Sequence, residues 1–167
     1  VDIVTGNGWY LGGMSHGQLA RPYPDPRPDP DLASIIGDEW SVFIMSVFRR
    51  RVYEVVGCFD ETMRTNEDYD FWIRAAMSGF RFARNDRPLG YYRIRDDSLS
   101  ASEMRMLRGI LHVYGKIRPM LGDRLLDGDI AQAFFEAVLI HADTAALLSD
   151  DHFTVDGTLL EAWASHK

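Results

Sequence analysis

Apolar and polar positions change rhythm several times along this chain, and each change marks an expected element. Residues Val1 to Thr5 alternate in the manner of a short strand, which Gly6-Asn7-Gly8 and Gly12-Gly13 are expected to end in turns. From Arg21 to Asp31, prolines at 22, 24, 26, 28 and 30 exclude a regular hydrogen-bonded element, because each lacks the N–H donor and restricts its predecessor. An extended surface segment is expected there. Ser41 to Phe48 is rich in β-formers and flanked by charge, Asp38 and Glu39 before it and Arg49 to Arg51 after it, and reads as a buried strand.

The period then becomes helical. Val52, Val55 and Val56 predict a short helix capped at its end by Gly57. A second helix is expected to start from Thr65 or Asn66 as N-cap, with Glu67, Asp68 and Asp70 in its first turn, where carboxylates complement the exposed N–H groups. Tyr69, Trp72, Ile73 and Ala76 form its apolar stripe, and Gly79 closes it. Arg81 to Arg84 and Leu89 to Ile94 read as two strands joined at Asp86-Arg87-Pro88. From about Leu99 onward Leu107, Ile110, Leu111, Tyr114 and Ile117 make one helical face, and Ile130, Phe134, Ala137, Val138, His141 and Ala145 another. These predict two long helices broken between Pro119 and Gly128, with a shorter third over Leu159 to Trp163.

Composition narrows the classes. The 167 residues are 46% hydrophobic and 26% charged, enough for one sizeable core. A net charge of -7 argues against general nucleic-acid binding, which needs an excess of Lys and Arg along the phosphate backbone. The lone Cys58 excludes an internal disulfide and a multi-cysteine zinc site, and fits a reducing compartment. No apolar run approaches the roughly 18 residues that span a bilayer, and no N-terminal basic-then-apolar signal appears. A cytoplasmic protein is therefore expected. The sequence begins directly in the apolar Val1-Asp2-Ile3-Val4 run, which suggests a piece of a longer polypeptide.

The chemistry concentrates between Phe43 and Ser100. In order along the chain stand Phe48-Arg49-Arg50, Gly57-Cys58-Phe59-Asp60-Glu61, Asn66-Glu67-Asp68-Tyr69-Asp70, Trp72-Ile73-Arg74, Gly79 with Phe82, Pro88-Leu89, Tyr91-Tyr92-Arg93 and Ser98-Leu99-Ser100. Order and spacing together make this third of the chain resemble the C-terminal, acceptor-side half of family 2 glycosyltransferases of the GT-A fold. The resemblance implies an α/β chain with a partial GT-A fold: an antiparallel or mixed sheet from segments 1–5, 41–48, 81–84 and 89–94, with helices, over residues 1–98. Residues 99–167 would form a helical extension. It further implies transfer of a sugar from a nucleotide-diphosphate donor to a hydroxyl of a glycan, lipid-linked or small-molecule acceptor, with inversion, as in polysaccharide biosynthesis.

In that family the aspartate of the Glu-Asp pair takes the acceptor proton, and Asp68 matches it. A carboxylate in a helix's first turn is held ionised and oriented, which is what a general base requires. Glu67 would orient the acceptor or support the base. Trp40, just before the central strand, could stack on a sugar ring or join the core. Arg49 to Arg51 could meet a diphosphate or simply be a solvated strand end. Asp70 and Arg74, four apart, read as a surface pair worth a few tenths of a kcal/mol. Phe59 beside Gly57 reads as a helix-terminating turn that buries an aromatic, Cys58 as a small buried hydrophobe, and His141 as a satisfied core residue. The five histidines show no paired spacing for a metal.

The resemblance has gaps. A full-length enzyme would carry an Asp-x-Asp motif at a strand end, holding the Mg²⁺ or Mn²⁺ that neutralises the leaving diphosphate. Asp29-Pro30-Asp31 lies in the proline-rich segment and Asp127-Gly128-Asp129 at a helix junction, so no metal ligand is assigned. Where many relatives carry a histidine that can complete the metal site, this chain has Arg95, a cation that could contact phosphate directly. With the donor half missing, exposed sheet edges predict self-association into a homo-oligomer, and the isolated chain would have little activity. The rival expectation is a non-catalytic interaction module of a membrane-associated glycan-assembly complex, peripheral to the membrane. A glycosidase using Glu67 and Asp68 as a pair is disfavoured, because adjacent helical side chains point about 100° apart and cannot flank one bond.

Overall fold

The computed structural model describes residues 1–95, 98–126 and 128–144. Its elements run β1 (Ile3–Leu11), α1 (Leu32–Gly37), β2 (Ser46–Phe48), α2 (Arg50–Val56), α3 (Glu67–Met77), β3 (Phe82–Arg93), α4 (Glu103–Leu121) and α5 (Gly128–Thr144), with 3-10 turns at Leu99–Ala101 and Gly122–Leu126. The strands form one sheet in the order β2-β1-β3, β1 antiparallel to β2 and parallel to β3. The chain is thus mixed α/β with a mixed sheet, as its patterning implies.

Glycine explains the first departure from expectation. β1 does not stop at Thr5 but runs on through Gly6-Asn7-Gly8, because these glycines sit where neighbouring backbone comes close. A Cβ on Gly6 would lie 2.5 Å from the Met45 carbonyl oxygen, and one on Gly8 2.7 Å from that of Gly90. The two strands expected at 81–84 and 89–94 are likewise one strand, β3. Its register against β1 shifts between Thr5 and Asn7 and again between Asn7 and Gly8, so Pro88 falls opposite Asn7 at the irregularity, where a missing N–H is tolerated. Buried Asn7 repairs the interrupted ladder: its Nδ2 donates to the carbonyls of Asp86 (2.9 Å) and Arg21 (3.2 Å), and its Oδ1 accepts from Arg21 N and Gly8 N.

Of the strand expected over 41–48, only Ser46–Phe48 pairs regularly. Ser41, Val42 and Phe43 are buried as foreseen but irregular, and Phe43 N–H donates to Thr5 Oγ1 at 2.8 Å rather than to a ladder. Helix α1 carries no long apolar period and was not foreshadowed. Asp31 starts it with a capping box, its carboxylate accepting from Ser34 N while its own N–H donates to Ser34 Oγ. The proline segment before it is largely exposed, as expected, yet both its ends, Arg21 and Pro30, are buried.

α3 is buried far more widely than one stripe: Tyr69, Phe71, Trp72, Ile73 and Ala75 all enter the core, with Ile3, Ile35, Val52 and Phe82 around them. Ile110, Val113, Tyr114 and Ile117 of α4 and Phe134 and Ala137 of α5 join the same cluster. α4 comes close because residue 109 is glycine; a Cβ there would lie 2.2 Å from Asn66 Oδ1 and 2.4 Å from Thr65 Oγ1. Pro119 sits inside α4, and the break comes at Gly122, with φ 49°. The helix expected at 159–163 lies outside the described residues. Among the described residues no helix is long and apolar enough to cross a membrane.

Candidate functional site

Two aspartates of α3 occupy opposite electrostatic situations. Asp70 has no exposed surface. Its Oδ2 accepts from Arg74 Nε at 2.8 Å, and Lys116 Nζ of α4 lies 2.9 Å from its Oδ1, an ion pair without hydrogen-bond angles. Lys116 also donates to Asp60 at 2.7 Å, and Arg74 donates to the carbonyls of Val56 (2.7 Å) and Cys58 (3.0 Å). The surface pair expected at 70 and 74 is therefore a buried clamp. It ties α3 to α4 and to the turn after α2, because a carboxylate this deep must be matched by charge. Burial works against the Lys116 ammonium, but its contacts with Asp60 and Asp70 raise its pKa on balance. The hydrogen bond from Lys116, with those from Thr62, holds the Asp60 carboxyl well below the usual range.

Asp68 is different. It is half-buried in the first turn of α3, and its carboxylate accepts from Tyr69 N at 2.8 Å. Among the described residues no cation pairs with it. Burial pushes its carboxyl above the usual value; the Tyr69 N–H opposes the shift and the neighbouring Glu67 adds to it. Glu67 is half-buried beside it. The helix start is unconventional: Asn66 takes the N-cap position in the left-handed region, φ 63° and ψ 19°, and its side chain caps nothing, contrary to expectation. Its Oδ1 is instead buried without a hydrogen-bond partner.

The remaining candidates scatter. Trp40 is 49% exposed, which removes the core reading and leaves its ring free. It lines a cavity of about 390 Å³ with Tyr10, Arg21, Arg27 and Phe43. A second cavity, about 490 Å³, lies between α1 and α5 and shares Arg27 with the first. Asp68 lines neither. Arg95 is exposed just past the end of β3. Arg49 to Arg51 are exposed at the start of α2, Arg49 donating to the Val1 carbonyl at 3.0 Å and Arg51 lying 5.8 Å from the Phe80 ring centre.

Cys58 is exposed rather than buried, its Sγ 3.0 Å from Tyr53 Oη, while its carbonyl accepts from Arg74. Phe59 is only partly covered, stacked 4.7 Å from Phe71. His141 is half-buried against Tyr114 and lies 3.7 Å from Glu39.

Of the carboxylates considered for a divalent cation, two already have other partners. Asp31 is committed to capping α1, and Asp29 accepts from Arg84 N at 2.8 Å; Asp127 lies outside the described residues. Among the described residues no group of three or more His, Cys, Asp or Glu stands where it could hold a metal.

What the sequence did not disclose is the cluster around Arg21. Arg21, Arg27 and Arg84 converge with Asp25 and Asp38 beneath the proline segment, and the signal was hidden by the prolines, which identify a loop but not what it covers. No family model matches the chain, and neither a curated protein nor a solved structure matches it.

Proposed function

We propose that the chain is the acceptor-side part of an inverting glycosyltransferase with a GT-A architecture, in which Asp68 is the general base. The observation that carries the reading is the Asp68 carboxylate itself: half-buried, held by backbone N–H at the helix start and, among the described residues, without a cation, where Asp70 is matched by two. A raised carboxyl pKa marks a group whose environment suits proton uptake. In the proposed reaction the acceptor O–H proton passes to Asp68 as the oxygen attacks the anomeric carbon and the nucleotide diphosphate leaves from the opposite face. Glu67 would position the acceptor hydroxyl. No step is assigned to a metal in this chain.

The test uses the polypeptide extended upstream, assayed with a panel of nucleotide-sugar donors for hydrolysis and transfer. Asp68→Asn should lower turnover by at least about 10²-fold, the contribution typical of a general base. Near-full turnover in that variant would falsify the assignment.

A second reading, the non-catalytic assembly module, has its own support. β3 is an edge strand with Leu89 73% and Tyr91 68% exposed, and such an edge invites pairing with another chain. Copies associating through this edge would sediment as a dimer or larger species at micromolar concentration; a monomer under those conditions removes this reading's support.

A further inference from the structure

We infer that the cavity beneath the proline segment is a binding site for an oxyanion, carboxylate or phosphate, carried on a small ring. Arg21 is its anchor. This residue is only 7% exposed, yet among the described residues no carboxylate lies within ion-pair distance of it. Its guanidinium donates to the Trp40 carbonyl through Nη2 and lies 5.6 Å from the Phe43 ring centre; its other N–H groups have no acceptor among the described residues and are not sealed off, so they keep contact with the cavity.

The carboxylates nearby serve the other two arginines. Asp25, whose side chain is 2% exposed, accepts from Arg27 in a bidentate pair (2.9 and 2.7 Å), and Arg84 Nη1 lies 3.9 Å from it. Asp38 lies 3.8 Å from Arg27, and Asp29 binds the Arg84 backbone. Among the described residues Arg21 is the one of these three arginines without an ion pair, although Asp25 and Asp38 stand near enough to favour its charge. Burial, together with Arg84 and Arg27, depresses its pKa to about 10, the opposite of what a bound anion would do. A buried guanidinium is costly unless an acceptor completes it, and its planar fork matches a carboxylate or phosphate.

The walls define the rest of the ligand. Tyr10, Phe43 and the half-exposed Trp40 supply aromatic surface beside the arginine, and about 390 Å³ is the lower end of the size of small-molecule sites. A single ring with one anionic substituent fits both features. That the ring is a sugar rests on the glycosyltransferase reading; that the site takes an oxyanion does not.

The test is nuclear magnetic resonance titration of the full 167-residue chain with glucuronate, glucose 6-phosphate and glucose, read at the Trp40 indole N–H and the Arg21 Nε–H. Glucuronate and glucose 6-phosphate should each give saturable shifts at both groups, and their relative affinities identify which oxyanion is preferred. Glucose at the same concentration should give none. Arg21→Gln should weaken binding of the charged sugars at least tenfold, with Arg21→Lys retaining part of it. Trp40→Ala, a change at a half-exposed side chain that leaves the fold intact, should weaken binding several-fold. Equal shifts from glucose, undiminished binding in a folded Arg21→Gln, or no shift with either charged sugar overturns the inference. None of these readouts depends on Asp68, so failure of the transferase reading and failure of the anion site are separately visible.

Discussion

Asp68 and Asp70 are two residues apart on one helix, yet they are treated as differently as two carboxylates can be. Asp70 is sealed from water and held by Lys116 and Arg74, whose other bonds reach Asp60 and the carbonyls of Val56 and Cys58. Asp68 has partial access to water, a backbone hydrogen bond and no counter-ion among the described residues. A protein that spends two basic side chains on one aspartate and none on its neighbour separates a carboxylate used to hold the fold from one left available. Burial lifts the free carboxyl's pKa, which destabilises the fold slightly at neutral pH. Such a local cost is typical of functional positions.

Breaking the Asp70 side of the comparison should give the largest effect. Asp70→Ala leaves Arg74 and Lys116 facing a buried gap and is expected to lower stability by about 3–5 kcal/mol in urea denaturation. A loss below about 1 kcal/mol, the range of exposed pairs, would return this residue to the surface role its spacing suggested. Next comes the approach of α4. Gly109→Ala puts a methyl against Asn66 Oδ1 and Thr65 Oγ1 and is expected to cost about 1–3 kcal/mol by overpacking, and to disturb the Asp68 backbone resonances through the turn that starts α3.

A smaller effect comes with acid. The folded pKa of Asp60 is depressed by Lys116 and Thr62, so its contribution to stability is present above the unfolded value of about 3.9. It is lost as pH falls through the lower folded value. Asp60→Asn, which leaves both cations on Asp70, should flatten that part of the stability curve below about pH 4, and an unchanged acid limb would show that the ion pair is incidental.

The smallest expected change sharpens the other side. The raised Asp68 pKa means that ionisation is opposed in the folded state; stability from the neutral form is full below the unfolded pKa and lost as pH rises through the folded one. Asp68→Asn should therefore raise the melting temperature slightly at pH 7. A carboxylate that served only as a helix-dipole partner would show the reverse, a small loss of stability.

Much of this was legible in the residues, for reasons that also explain the failures. The α3 stripe, the two long helices and the acidic first turn follow from helical period and capping chemistry, and the structure contains all three. Depth was harder to read, since a pair at i and i+4 looks the same on a surface as in a core. The packing of α4, which brings Lys116 onto Asp70 from forty-six residues away in sequence, is what a local pattern cannot show. Gly6 and Gly8 misled in a similar way, because a glycine that ends a strand and one that admits a neighbouring backbone have the same letter. The Arg21 cluster depends on Asn7 and Asp86 fixing the loop from the far side, a contact spanning 79 residues that no local pattern announces.

The central claim is that Asp68 is a partly desolvated carboxylate without a counter-ion among the described residues. Titrating the ¹³C resonance of its carboxyl carbon in the intact chain measures this directly, with Asp68→Asn assigning the signal. The account predicts a midpoint above the ordinary aspartate value of about 3.9; a midpoint at or below it would mean that a cation or further N–H donors already satisfy the group, contradicting the account.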